Sequence, residues 1–281
     1  MGIFGGGYAK PGKGISKEEA AKRNYFDILG RKFFKLVQLN LLYSLCNILF
    51  IGGGIFLAIG YDWIAVLDAL ASGQAVLLPP LPFLPLMLIG PFNAGLTYVI
   101  RNYSRQEHAF MCSDFFEHTK KNWKQGLLMS ILQVVVFYVL VTAFFFYRQF
   151  FTLHGWNYGL LLGLTLVISI MLLSMSFYLY PMMVTFDMKL RHIIKNSWIF
   201  AMSKLPQNLF ILIIIAAVHG LLLWYVPIVW IILMPVILIS WTSYTMNYYV
   251  WHVMDKYMIS QIEQSGKTEE EAVFDDNLHD K

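Results

Sequence analysis

Residues 205–254 read LPQNLFILIIIAAVHGLLLWYVPIVWIILMPVILISWTSYTMNYYVWHVM, and no Asp, Glu, Lys or Arg interrupts them. A helix needs about 20 apolar residues to cross the hydrocarbon of a bilayer. The run therefore holds two crossings if something turns the chain between them. WYVP at 224–227 supplies that turn: the aromatics suit the membrane interface, and Pro227 stops one helix and opens the next. The predicted crossings are 208–226 and 229–249.

Working outward, the same pattern recurs at 36–61, 77–100, 126–147 and 156–186, which also carry no Asp, Glu, Lys or Arg. Each holds one further span, near 36–59, 82–100, 126–147 and 159–183. The chain of 281 residues is 58% hydrophobic and only 14% charged, against roughly a quarter charged in soluble domains. Lipid cannot hydrate unpaired backbone groups, and the strand alternation of a barrel is absent. The expected fold is all-α, a polytopic membrane bundle of six transmembrane helices. It divides the chain into a cytoplasmic N-terminal segment 1–35, a transmembrane domain 36–251 and an acidic cytoplasmic tail 252–281. The N-terminus is polar and Gly-rich, so no cleavable signal peptide is expected. Cys46 and Cys112 fall in a span and a cytoplasmic loop, and no disulfide is expected.

Basic residues set the orientation. Lys10, Lys13, Lys17, Lys22, Arg23, Arg31, Lys32 and Lys35 precede the first span, and five, four and three more lie in 101–125, 184–207 and the tail. Of the 21 Lys and Arg, only Arg148 falls on the other side. Cytoplasmic loops retain Lys and Arg, so both termini are expected inside the bacterial cell membrane. The second span is the exception in composition, with Pro79, Pro80, Pro82, Pro85 and Pro91 in or before it. A re-entrant segment is the alternative there; it would place the five-cation loop 101–125 outside, against the charge rule.

That loop contains the densest chemistry in the chain: Glu107, His108, Cys112, Asp114, Glu117 and His118 within YSRQEHAFMCSDFFEHTKKNWKQ, 103–125. At 100° per residue, Phe115, Phe116, Thr119 and Trp123 share one face, and Glu117, Lys120, Lys121 and Lys124 the other. Asp114 with Glu117 three positions on predicts a capping box opening a helix over 114–124. An amphipathic, aromatic and basic helix fits a membrane interface. A metal centre on His108, Cys112, Asp114 and His118 is the competing reading, but Lys121 would share the ligand face and repel a cation. No metal, no cofactor and no catalytic residue is assigned. Residues 23–36 and 189–204 have the same character, and Phe34, Phe116 and Phe200 are 82 and 84 positions apart. Three repeats of interfacial helix plus hairpin follow as an expectation.

No charge lies inside a predicted span, whereas proton- and ion-coupled pumps need one there. The spans do carry neutral polar groups. Asn40, Ser44, Asn47, Gln133, Ser169, Ser174, Ser176, Ser240, Thr242, Ser243 and Asn247 are candidates for interhelical hydrogen bonds, or for lining a neutral-solute pathway. His219 is expected to be a hydrogen-bonded core residue. SGKT at 265–268 lacks the first glycine of a phosphate-binding loop, since position 261 is Gln261.

NLLYSLCNI (40–48), IGPFNAGLTYVIRNYSRQEHAFMCSDFFEHTKKNWKQ (89–125), YPMMVTFDMKL (180–190) and KNSWIFAM (195–202) resemble the YesL-like integral membrane proteins of Gram-positive bacteria. YAKPGKGISKEE near the N-terminus resembles their PGPGV-type opening. Residues 53–88 depart from the family by a longer hairpin. The resemblance implies about six helices, a cytoplasmic-membrane location and an association with carbohydrate uptake and sensing, and brings no catalytic residues. The expected function is that of a non-enzymatic accessory or regulatory partner of a carbohydrate uptake (ABC transporter) or sensing system. The alternative is a transporter or channel for a neutral or lipid-like solute. Expected partners are the lipid bilayer and ABC transporter subunits or a sensor kinase, with no nucleic acid. Phe115, Phe116, Lys120, Trp123, Lys124, Trp198 and Phe200 are the expected partner or lipid contacts. Asn40, Asn47, Gln133, Ser174, Ser240 and Asn247 are the expected polar core.

Overall fold

A computed structural model describes residues 24–72 and 79–259. The N-terminal segment up to Arg23, the tail beyond Ile259 and the SGKT stretch lie outside the described residues. Among those described, every regular element is helical. Six helices are long and apolar enough to cross a membrane: Tyr25–Ile59, Leu81–Ser104, Trp123–Thr152, Tyr158–Thr185, Leu205–Tyr225 and Pro227–Ile259. Each overlaps one of the six stretches expected from the sequence, and the first and last run well beyond theirs.

The first span starts at a capping box: the Asn24 side chain accepts from the Asp27 N–H at 3.0 Å, and Asp27 in turn accepts from the Asn24 N–H. From there the helix runs to Ile59 without a break. The separate interfacial helix expected over 23–36 is therefore corrected. No Gly or Pro interrupts RKFFKLVQ, so the polar start carries straight into the apolar run and its ten or so residues are an extension of the span. The threefold repeat holds only for its second and third copies, where Met111–Lys121 and Leu190–Ser203 are separate helices ahead of their hairpins. A short helix not foreseen, Trp63–Ala71, follows the first span, and its N-cap Asp62 accepts from Ala65 N–H.

The proline-rich second span is helical throughout, as short 3-10 turns at Leu81–Phe83 and Pro85–Ile89 leading into Gly90–Ser104. Pro82, Pro85 and Pro91 sit in the opening positions of these segments, where a missing N–H costs nothing. It is also the most buried of the six and packs against the first, third, fourth and sixth. Its glycines explain the closeness. A Cβ at Gly90 would collide with the Gly126 carbonyl of the third span, and one at Gly95 with the Phe115 carbonyl. Small residues at such crossings let backbones approach and dispersion act over many atoms.

The third and fourth spans form a hairpin closed by Gly155 at φ +76°. The last two turn at Val226–Pro227, as WYVP implied. Pro235 leaves a defect in the sixth span: Met234–Leu238 winds as a π-helical stretch. Asn40 of the first span reaches into it, donating from Nδ2 to Met234 O at 2.8 Å and accepting from Ser240 N–H at 2.6 Å. One amide thus supplies both the donor and the acceptor that the broken ladder lacks, where no water can.

A candidate site between the spans

Four spans contribute to one cavity of about 270 Å³. The second brings Asn93 and Thr97, one helical turn apart; the fourth brings Ser176 and Tyr180. The fifth brings His219, and the sixth Thr242, Ser243 and Asn247. Between these polar groups the wall is apolar (Leu96, Phe177, Met246), and no Asp, Glu, Lys or Arg lines it. Asn93, Thr97, Thr242 and Ser243 lie near the middle of their spans.

Hydrogen bonds fix how the wall presents itself. Trp230 Nε1–H donates to His219 Nδ1 at 3.1 Å, and His219 Nε2 lies 2.8 Å from Thr242 Oγ1. Since Nδ1 accepts, a neutral ring carries its proton on Nε2 and donates to the Thr242 oxygen. The hydroxyl proton of Thr242 is then left to donate elsewhere. Asn93 Oδ1 accepts from the Tyr43 hydroxyl at 2.6 Å. Asn247 Nδ2 is satisfied by Ser243 O at 2.8 Å, but its Oδ1 is buried with no partner. The Tyr180 hydroxyl is buried beside Asn93 without completing a hydrogen bond. An unmet polar atom inside a protein costs about 1–3 kcal/mol.

The expected polar core is largely assembled as such. Asn40, Asn47, Ser174, Ser240 and Asn247 are buried, and Gln133 is half-buried. Asn40 bridges two spans; Asn47 and Asn247 bond backbone one turn back in their own helices. Only Asn247 of the six reaches the cavity. Asn93, Thr97 and Tyr180 were not singled out from sequence. Asn93 and Thr97 are spaced i, i+4 in FNAGLT, which was the available signal.

The expected contact residues divide. Phe116, Lys120, Trp123, Lys124 and Trp198 are exposed. Phe115 is corrected: it is fully buried against the first and second spans, so it offers nothing to a partner. Phe200 is half-buried and stacks on Tyr178 at 5.7 Å. The helix expected over 114–124 runs instead from Met111 to Lys121. Asp114 is not its N-cap but reaches back to accept from the Phe110 N–H at 2.9 Å, and Trp123 begins the third span.

His118, offered as a metal ligand, stacks face-on to Tyr98 with 3.3 Å between centroids. Burial, reinforced by the Lys121 and Arg101 charges, lowers its pKa from 6.5 although Glu117 and Asp114 pull the other way. His108 is exposed and packs edge-on to Phe110. Among the described residues no three His, Cys, Asp or Glu side chains converge on a metal position. On the same side, Arg101 donates to Val184 O at 2.9 Å and to Thr185 Oγ1 at 3.2 Å, joining the second span to the end of the fourth.

No curated protein and no solved structure matches the chain. Residues 36–144, from the first span through most of the third, match a family model described as "Protein of unknown function, DUF624", and the six apolar helices make the chain a multi-pass membrane protein.

Proposed function

We propose that the protein is a non-enzymatic component of the bacterial cell membrane that binds a small, neutral, hydrogen-bonding solute inside its bundle, as an accessory to carbohydrate uptake or sensing. The observation that carries this reading is the uncharged cavity, into whose mainly apolar wall Asn93, Thr97, Ser176, Thr242, Ser243 and Asn247 are set. At about 270 Å³ it lies at the small end of ligand pockets, which begin near ~300 Å³. A polyol or monosaccharide suits that size and supplies hydroxyl oxygens that the Thr242 hydroxyl can donate to. An ion does not, because no charge is present to replace its hydration. The YesL-like sequence blocks support the carbohydrate context, and the segregation of Lys and Arg supports cytoplasmic termini.

The test is equilibrium binding and liposome flux of glycerol, xylitol and glucose. Wild type is expected to show saturable binding or flux of at least one, and Asn247→Leu is expected to weaken it at least tenfold. No saturable signal from any of the three, with the protein folded, overturns the reading.

A second reading has its own support: Phe116, Trp123 and Trp198 are 49%, 51% and 40% exposed, next to the exposed Lys120 and Lys124. These are anchors for a transporter subunit or sensor kinase at the cytoplasmic side. Reproducible co-purification of such a subunit, lost on Trp123→Ala, supports it; its absence from native membranes removes it.

A further inference from the structure

A second recess lies apart from the polar cavity, between the first, fifth and sixth spans, with a volume of about 450 Å³. Leu29, Ile211, Ile214 and Trp241 make its wall, and His252 lines its far end. Leu29 and Ile211 lie toward the start of the first and fifth spans and His252 toward the finish of the sixth, while Ile214 and Trp241 lie near the middle of theirs. Along the sixth span the lining runs from Trp241 to His252, eleven positions, or about 16 Å at 1.5 Å per residue. That is half of the ~30 Å hydrocarbon thickness. The groove is therefore as long as one leaflet is deep.

Its polarity is graded in the same direction. The deep wall is aliphatic and aromatic. Nearer the end, the Tyr25 hydroxyl pairs with Thr245 Oγ1 at 2.8 Å, and His252 is exposed. Past it stands a basic rim. Lys204 Nζ donates to the Tyr257 hydroxyl oxygen at 2.6 Å and lies 4.2 Å from the ring centroid, and Lys256 Nζ lies 5.4 Å from the same centroid. Lys204 is also within Coulombic range of Tyr249, which lines the groove. Asp255 is the carboxylate beside them. Two lysines against that one acid leave the rim net positive.

We propose that this groove is a specific site for an anionic phospholipid of that leaflet, its acyl chain lying along Trp241 and Ile214 and its phosphate at Lys204 and Lys256. The concave, leaflet-deep wall distinguishes the bound lipid from those that merely surround the bundle. Against the bilayer, which is equally apolar, the shape and the basic rim provide the preference.

Native mass spectrometry of the protein in mild detergent, supplied with phosphatidylglycerol or phosphatidylcholine, tests it. Wild type is expected to retain one phosphatidylglycerol, and phosphatidylcholine at least fivefold less. Ile214→Trp fills the groove and is expected to cut retention at least tenfold, while Ile213→Trp, one position round the helix and 56% exposed, leaves it unchanged. Lys204→Gln is expected to erase the headgroup preference while the chain still binds. Equal retention by Ile214→Trp and Ile213→Trp, both monodisperse, overturns the proposal. So does a wild type that keeps no lipid, or keeps both lipids equally.

Discussion

Replacing Asn40 with leucine is expected to lower the unfolding free energy by about 3 kcal/mol, since two backbone groups lose their partners at about 1–3 kcal/mol each. Asn40 looks on the sequence like one polar residue among many. In the structure its amide stands in for the missing rungs of another helix, holding Met234 O and Ser240 N–H where Pro235 has broken the ladder. Leucine fills the space but can do neither. Asn47→Leu makes the natural comparison, because Asn47 is as buried but donates only to Tyr43 O of its own helix. Its replacement is expected to cost under about 1 kcal/mol. Denaturant titration in detergent micelles measures both, and equal losses would contradict the role assigned to Asn40.

The second large effect is expected at Gly90. An added methyl there meets the Gly126 carbonyl and the Ser130 hydroxyl, and backbone cannot step aside as a flexible side chain can. Gly90→Ala should therefore force the second and third spans apart and cost about 3 kcal/mol, at the upper end of overpacking penalties. Gly163 is the control, since nothing lies within 4 Å of a Cβ built on it. Gly163→Ala is expected within about 0.5 kcal/mol of wild type. Thermal unfolding of the two variants side by side decides the matter; similar midpoints would show that the crossing is looser than its geometry implies.

The spans were legible because the signal is coarse: charge is excluded from oil, and twenty apolar residues in a row have few other uses. The Val226–Pro227 turn was legible for the same reason, as aromatics and a proline interrupt an otherwise uniform run. What the sequence could not convey is which side of each helix faces protein and which faces lipid. Both are apolar, so periodicity gives no contrast. Phe115 shows the cost. On a helical wheel it belongs with Phe116, yet it is fully buried while Phe116 is 49% exposed. Its neighbour Gly95 admits the helix so closely that a methyl there would strike the Phe115 carbonyl.

The cavity was half visible for a related reason. His219, Ser176, Thr242, Ser243 and Asn247 stand out as polar residues within apolar runs, but their convergence depends on how four helices are rotated. Asn93 and Thr97 give no contrast within a proline-rich span, and Tyr180 gives none within an aromatic-rich one. The helix Trp63–Ala71 was missed because a nine-residue stretch is too short for periodicity to register.

The proposed cytoplasmic contact surface rests on the assumption that uncharged helices cross the membrane an even number of times with the basic segments together on the cytoplasmic side. Cysteine labelling in intact cells tests that assumption most directly. With Cys46 and Cys112, both free, replaced by alanine, single cysteines are introduced as Asp62→Cys and Lys120→Cys. A membrane-impermeant maleimide is expected to modify the cysteine at position 62 in intact cells and the one at position 120 only after the membrane is opened. Modification at position 120 from outside, at the rate seen for position 62, would contradict the account.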